Sequence, residues 1–242
     1  MSAIAIKYND EIVDLVTAQE RGIEGEEIEL DNSEDALEVL RHSTAHLMAQ
    51  AIKAIHPEAK FYVGPTVKEG FYYDVKTNEP ISEADLKKIE KQMLGFAKKK
   101  FPIEKYTITK EEARQKFAED HLKQAVLDMI PSDKVSIYKQ GDFEDLCRGP
   151  HLPNIGLIRY FKLTKVAGAY LGGDSKNEML TRIYGIAFAT KDALKAHMDM
   201  LAEAEKRDHR KLGNEMKLFT FRERLVLVFL YGFLLVGDFV PV

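Results

Sequence analysis

The sequence is sparing with features that would place it at once. Only one of its 242 residues, Cys147, is a cysteine. No disulfide can form within the chain, and a reducing, cytoplasmic setting is expected. Positive charge is not in excess: 35 Lys and Arg stand against 39 Asp and Glu, a formal net charge of −4. That excludes a general nucleic-acid coat, whose affinity rests on a basic surface, while leaving room for a local basic groove. The opening "MSAIAIKYND" lacks a basic stretch followed by an apolar run, so no signal peptide is expected. The uncharged run "LVLVFLYGFLLVG", residues 225–237, is shorter than the roughly 18–20 residues of a membrane-spanning helix. There is no internal repeat and no low-complexity tract.

What is present reads as an ordinary globular chain, 45% hydrophobic and 31% charged, long enough for one or two domains. Residues 1–31 alternate apolar and polar positions, which predicts a few short strands. "DNSE" at 31–34 is a helix-start signal, and the helix should run from about 34 to 55 and stop before Pro57. "KFYVG" and "GFYYDV" predict strands joined by a turn containing Pro65 and Gly70. "ISEADLKKIEKQMLGFAKKK" predicts an amphipathic helix capped by Ser82. A strand over "FPIEKYTIT" and short helices over "KEEARQKF" and "DHLKQAVLDMI" follow. "KVSIYKQ" and "FEDLC" predict a hairpin around Gly141. "GLIRYFKLTKVAGAYL" and "EMLTRIYGIAFA" predict a longer strand pair joined by "GGDSKN". A charged linker helix from 191 to about 218 closes the recognisable pattern. Strands and helices mix without regular βαβ alternation. The class is therefore α+β, with a mixed or antiparallel sheet and one long helix.

That long helix carries "RHSTAHLMAQ", residues 41–50, with His42 and His46 four apart. Leu37, Leu40, Thr44, Leu47, Met48, Ala51 and Ile55 make an apolar stripe, and at roughly 100° per residue the two histidines lie together on the opposite side. Residues four apart are neighbours on a helix, so both rings can reach one small site. The plain alternative is two solvated surface histidines, and the off-stripe position counts against buried ones. A second segment shifts the balance. "DLCRGPH", residues 145–151, sets the one cysteine and His151 four apart around a Gly-Pro turn. Asp145 and Cys147 fall on one face if "FEDLC" is a strand. His42, His46, Cys147 and His151 offer the donor types of a tetrahedral zinc. They equally suit proton transfer around a water, with an imidazole as base and a perturbed thiol as its partner.

"RHSTAHLMAQAI", "GFYYDV", "DLCRGPH", "KVAGAYLGGDSKNEMLTRIYG" and "KRDHRKLG" occur in this order and spacing in threonyl-tRNA synthetases, and roughly residues 30–221 resemble that family's editing region. Zinc-dependent alanyl-tRNA editing proteins, which share HxxxH and CxxxH, are a more distant likeness. The resemblance implies hydrolysis of seryl-tRNA made on the threonine-specific tRNA. A pocket that selects threonine gains only about 1–3 kcal/mol from the extra methyl, so a second hydrolytic sieve is needed. It also implies tRNA, not DNA, as the partner, and leaves oligomeric state open. His42, His46, Cys147 and His151 match the family's editing quartet. Lys123, in "HLKQAVLD", matches a lysine beside the substrate ester, across a two-residue gap. Asp145 and Tyr73 match further pocket residues.

The roles expected from this resemblance are specific. His42 and Cys147 move protons around the attacking water and the leaving ribose oxygen. Lys123 holds the ester oxygen, His46 and His151 shape the pocket, and Asp145 accepts from the serine moiety. Threonyl-type sites are generally taken to work without metal, so no cofactor is expected; zinc on the quartet is the alternative. The plain readings are Cys147 as a small buried hydrophobe, Lys123 on a solvated helix face and Tyr73 as core packing. "KRDHRK", residues 206–211, reads as a solvated face that would meet acceptor-stem phosphates. His56, His121, His197 and His209 have no partner motif.

The match has departures. Residues 1–31 hold only a remnant of the family's small N-terminal β-rich domain, 32–190 the editing domain, and 191–221 the linker helix. Leu171 and Gly172 stand where many members carry Trp and Arg. Residues 222–242 match nothing in the family. An apolar tail of that kind reads as translation in another frame, or as a short anchor, and is an aggregation liability. The class II synthetic core, with its ATP and threonine sites, is not in this sequence. The alternatives to the editing hydrolase are therefore a zinc-dependent alanyl-type deacylase, a non-catalytic tRNA-binding fragment and a structural zinc module.

Overall fold

The first thirty residues form the expected short strands, plus one helix that the sequence pattern did not suggest. Strands β1 (Ala3–Tyr8), β2 (Glu11–Asp14) and β3 (Glu26–Glu29) make an antiparallel sheet in the order β2-β1-β3. Between β2 and β3 lies α1 (Leu15–Arg21). Asp14 caps it by accepting the Thr17 N–H at 2.7 Å, and Gly22 closes it at φ 62°. Both are ordinary helix-end chemistry, but seven residues are too few to show a clear apolar period. This computed structural model describes residues 3–206, 219–220 and 229–230.

Helix α2 (Glu34–Ile55) matches the expected bounds, capped by Ser33 with Glu34 and Asp35 in its first turn. Fifteen of its 22 residues are buried, so it is a central helix with no broad solvated face. Small residues on its second face, Ser43, Ala45 and Ala49 among them, let neighbouring elements approach closely. The face carrying His42 and His46 is therefore inside the molecule, contrary to the expectation from the apolar stripe. Ile4, Ala5 and Ile28 from the N-terminal sheet join the same core as Leu40, Leu47 and Met48.

The main sheet is built from β4 (Lys60–Phe61), β5 (Thr66–Val67), β6 (Gly70–Lys76), β10 (Tyr160–Tyr170) and β11 (Met179–Phe188). Its order is β10-β11-β6-β4, with β5 also pairing β6, and every pairing is antiparallel. The expected strand over "KFYVG" is thus only two residues long. Phe71, Tyr73 and Val75 point from β6 into the core. The helix expected over 81–100 begins as a 3-10 turn, Glu83–Asp85, and continues as α3 (Leu86–Ala97).

A three-stranded antiparallel sheet, β7 (Ile103–Thr109), β8 (Lys134–Gln140) and β9 (Phe143–Leu146), has the order β7-β8-β9. Helices α4 (Lys110–Lys116) and α5 (His121–Met129) connect β7 to β8. The class is α+β, as expected. Residues Met1–Leu194 form one compact unit and Lys195–Val242 another. The charged helix is described as α6 (Lys191–Lys206), and the rest of its expected span, 207–218, lies outside the described residues. Of the C-terminal stretch, the structure describes only the antiparallel pair β12 (Phe219–Thr220) and β13 (Phe229–Leu230). The expectations for the rest of 222–242 fall outside the described residues. No described helix is long and apolar enough to cross a membrane.

Candidate functional site

The four quartet residues, 105 positions apart between His42 and Cys147, meet in one place. Helix α2 supplies His42 and His46. The turn after β9 supplies Cys147 and His151, with a cis Gly149–Pro150 bond between them. Cys147 Sγ lies 3.1 Å from His42 Nε2 and 3.1 Å from His151 Nε2. The Gly149 N–H donates to the same sulfur at 3.3 Å. The His151 ring centroid is 4.3 Å from that of His42 and 4.3 Å from that of His46.

Neighbouring groups fit one arrangement of the protons. The Pro150 backbone acts to raise the His42 value, as a carbonyl near an imidazole N–H does. Nε2 contacts the sulfur, so in this arrangement Nδ1 carries the proton toward the carbonyl and Nε2 presents its lone pair to Cys147. Ser43 Oγ accepts the Leu152 N–H at 2.9 Å and lies 3.2 Å from His151 Nδ1. With its hydroxyl donating to Nδ1, the His151 proton sits on Nε2, facing the sulfur. In this arrangement Cys147 receives from His151 and Gly149 and donates to His42.

Burial holds the set neutral. It lowers His42 to about 4, against which the Pro150 bond and the Asp14 charge act only partly. His46 and His151 fall well below the ordinary imidazole value, first through burial and then through their histidine neighbours, with Lys123 also acting on His46. Burial pushes the Cys147 thiol up to about 12, opposed by the Gly149 N–H.

Lys123, Asp145 and Tyr73 form a second cluster beside the first. Lys123, in the first turn of α5, is buried and ion-paired with Asp145 Oδ1. Its ammonium also donates to the Tyr62 carbonyl at 3.4 Å. Asp145 Oδ2 accepts the Tyr73 hydroxyl, and Oδ1 accepts the Leu146 N–H at 2.8 Å. Burial, then the Asp145 charge, holds the Tyr73 phenol well above its ordinary value. The Tyr73 ring packs on Phe61 at 5.5 Å and lies 6.2 Å from that of His46, joining the two clusters. Tyr73 therefore packs in the core while its hydroxyl joins the second cluster, and Lys123 is not on a solvated face.

Two openings reach these groups. A 460 Å³ groove with mostly apolar walls, including Val63, Val126, Met129 and Leu146, has Cys147 in its lining. An 890 Å³ cavity reaches Lys123 and Asp145. Sequence reasoning missed Ser43, Tyr138 and Asp14. Ser43 lies within the quoted "RHST", but nothing local marks it as the partner of His151. Tyr138 packs its ring 4.5 Å from that of His151 and donates to Asp14 Oδ2 at 2.5 Å. Of the histidines given no role, His121 pairs with Glu178 and His56 with Glu58, both away from the quartet.

The donor set also fits a metal. The four candidate ligand atoms all lie within 4.8 Å of one another. Zinc bound to a thiolate and an imidazole sets those two atoms about 3.5 Å apart, so the present sulfur–nitrogen contacts would open slightly.

A family model described as "Threonyl and Alanyl tRNA synthetase second additional domain" matches residues 135–184, which include Cys147 and His151. The chain is 67% identical over 223 residues to a threonine–tRNA ligase of Nautilia profundicola, covering 92% of the chain and 36% of that protein. It is 61% identical over 222 residues to the Helicobacter hepaticus ligase, covering 92% of the chain and 37% of the relative. For the Campylobacter lari ligase the identity is 63% over 198 residues, with 82% and 33% covered. The chain spans about a third of the length of these curated relatives. Together with the quartet's assembly on α2 and the turn after β9, these matches identify the chain as a segment of the threonyl-tRNA synthetase family that carries the second additional domain.

Proposed function

We propose that this chain is an aminoacyl-tRNA editing hydrolase, with residues 32–190 as its catalytic part, and that it cleaves the seryl ester from the threonine-specific tRNA. The observation that carries the reading is His42 Nε2 held 3.1 Å from the Cys147 sulfur inside a hydrogen-bonded quartet. At neutral pH Cys147 is a thiol, because burial pushes it up to about 12. A thiol is a poor nucleophile, so the reading assigns attack on the ester carbonyl to water and not to sulfur. His42 Nε2 takes a proton from that water as the new C–O bond forms. The Cys147 S–H supplies a proton to the departing ribose oxygen as the ester bond breaks, and His42 returns one to the sulfur.

Lys123 has three N–H bonds and two protein acceptors, Asp145 and the Tyr62 carbonyl. The third N–H is available to the ester oxygen as negative charge develops there. In this reading Asp145 takes the serine hydroxyl, and His46, His151 and Tyr73 wall the pocket.

The four-donor geometry favours one second reading, an alanyl-type zinc deacylase. Ligands drawn from His42, His46, Cys147 and His151 would hold the ion, with one position left to a water whose pKa it would lower. One experiment decides between them: deacylation of seryl- and threonyl-tRNA by the purified chain, with Cys147→Ala and His42→Ala, with and without a chelator. Loss of serine but not threonine is expected. Each substitution should slow it by about 10²–10⁴-fold, and chelation should leave it unchanged. Chelator-sensitive turnover would establish the zinc reading. A folded chain that binds tRNA without turnover would overturn both.

A further inference from the structure

The N-terminal segment, expected to be a separate remnant, reaches the quartet through one buried carboxylate. Asp14, at the end of β2, is 4% exposed and uses both oxygens. Oδ1 caps α1 through the Thr17 N–H at 2.7 Å, and Oδ2 accepts the Tyr138 hydroxyl at 2.5 Å. Helix α1 is itself tied to β7. Lys105 Nζ donates to Thr17 Oγ1 at 2.8 Å and pairs with Glu20 at 2.9 Å. Asp14 is held directly by the Thr17 N–H and the Tyr138 hydroxyl, and neither contact involves Lys105.

From Tyr138 two routes lead into the quartet. The first is the ring contact at 4.5 Å with His151. The second runs through the backbone of the turn. Gly149 presses against the Asp14–Tyr138 bond so closely that a Cβ there would lie 2.4 Å from Tyr138 Oη and 2.8 Å from Asp14 Oδ2. Its φ of +78° also suits only glycine well. The amide of this same residue donates to Cys147 Sγ, and the next residue, Pro150, presents its backbone to the His42 ring. The Asp14–Tyr138 bond thus backs the groups that set three of the four quartet members.

We propose that Asp14 and Tyr138 are positioning residues for the hydrolytic site, and that the N-terminal β-α-β segment is the strut that aligns His151, Cys147 and His42. The inference rests on the editing reading for its kinetic test, but not for its spectroscopic one. Tyr138→Phe keeps the ring and removes the anchor. Asp14→Asn keeps a polar cap and weakens the same bond. Lys105→Met breaks the neighbouring tie and touches no quartet residue.

The test measures seryl-tRNA deacylation, thermal midpoint and the ¹⁵N spectra of the histidines in substrate-free protein for all three variants. Tyr138→Phe and Asp14→Asn should each lower kcat about tenfold, since misplacements of an ångström or less are felt at this level. KM should stay within about twofold, because the bond does not touch substrate. The double variant should lose no more than the worse single one, as expected for partners in one bond. The His151 nitrogen shifts should move in both variants, whereas Lys105→Met should lower the midpoint and leave kcat and the shifts unchanged. Unchanged kcat in Tyr138→Phe, or an equal loss in Lys105→Met, would overturn the proposal. If the wild-type chain deacylates nothing, the editing reading fails alone. The histidine spectra then decide: unmoved His151 shifts in Tyr138→Phe overturn the strut, and moved shifts uphold it.

Discussion

Two buried polar clusters lie side by side, and they resolve burial in opposite ways. In the quartet, burial drives the histidines down and the cysteine up, so all four groups are neutral near pH 7. In the neighbouring cluster, Lys123 and Asp145 meet as an ion pair, with the Tyr73 hydroxyl and the Leu146 N–H completing the carboxylate's contacts. The difference is the countercharge. A buried ionised group persists where an opposite charge and hydrogen bonds replace water; without them the neutral form wins. The consequence for chemistry is a division of work. In the proposed hydrolysis, protons would move within the neutral set, where His42 and Cys147 differ in proton affinity yet share a 3.1 Å contact. The positive charge of Lys123 stands next door, where the same proposal puts the developing charge of the ester oxygen.

The largest way to break this contrast is to remove one partner of the ion pair. Lys123→Met leaves Asp145 buried without its cation and should destabilise the protein by about 3–5 kcal/mol. Urea unfolding measures this. The double variant Lys123→Met/Asp145→Leu should recover a large part of the loss, because no uncompensated charge remains. A single variant as stable as wild type would mean that water reaches the pair.

The neutral cluster predicts a different signature, read in pH. Its three histidines have folded values below the ordinary 6.5. The unfolded chain therefore binds protons that the native state refuses. Stability is full above pH 6.5 and is lost as pH falls toward about 4, the value for His42. The limiting slope is ~1.4 kcal/mol per pH unit for each histidine. Cys147 acts on the other limb: its folded value, about 12, exceeds the ordinary 9.0, so its contribution is full below pH 9.0 and lost above it. Denaturant titrations of metal-free protein across pH check both limbs. His42→Phe should flatten the acid limb by up to one histidine's share and leave the alkaline limb in place.

The legibility of the two clusters also differs, for a physical reason. The quartet was visible because each half is local: i,i+4 on a helix, and four residues around a Gly-Pro turn. The class and most elements were equally readable, since α2, α3 and the β10–β11 pair are long and periodic. What was not visible depends on contacts between distant segments. The burial of His46 follows from α2 being covered on nearly all sides, and a single apolar stripe does not report that. Lys123 looks like any exposed helical lysine until Asp145 arrives from β9. Tyr138 and Asp14 are 124 residues apart, and neither sits in a motif. Helix α1 was hidden by its brevity, although its cap, Asp14, and its terminal Gly22 were in plain view.

Ser43 offers the finest test of the contrast, because it sets a tautomer without carrying any charge. Its oxygen accepts the Leu152 N–H and lies 3.2 Å from His151 Nδ1, to which its hydrogen can donate. Ser43→Ala removes both interactions and leaves a buried N–H unpaired, which costs about 1–3 kcal/mol. Urea unfolding should show a loss of that size, smaller than for Lys123→Met. The sharper readout is the protonation site on His151. With Ser43 gone, nothing fixes the proton to Nε2, and the ¹⁵N shifts of the ring should move toward a mixture of tautomers. A neutral imidazole that can present either nitrogen to Cys147 no longer reliably donates to the sulfur. The thiol then loses one of the two N–H groups that stabilise negative charge on it, and the proton it shares with His42 shifts toward sulfur. If Ser43→Ala left the His151 tautomer unchanged, the ordering of the neutral cluster would have to come from Tyr138 and Cys147 alone.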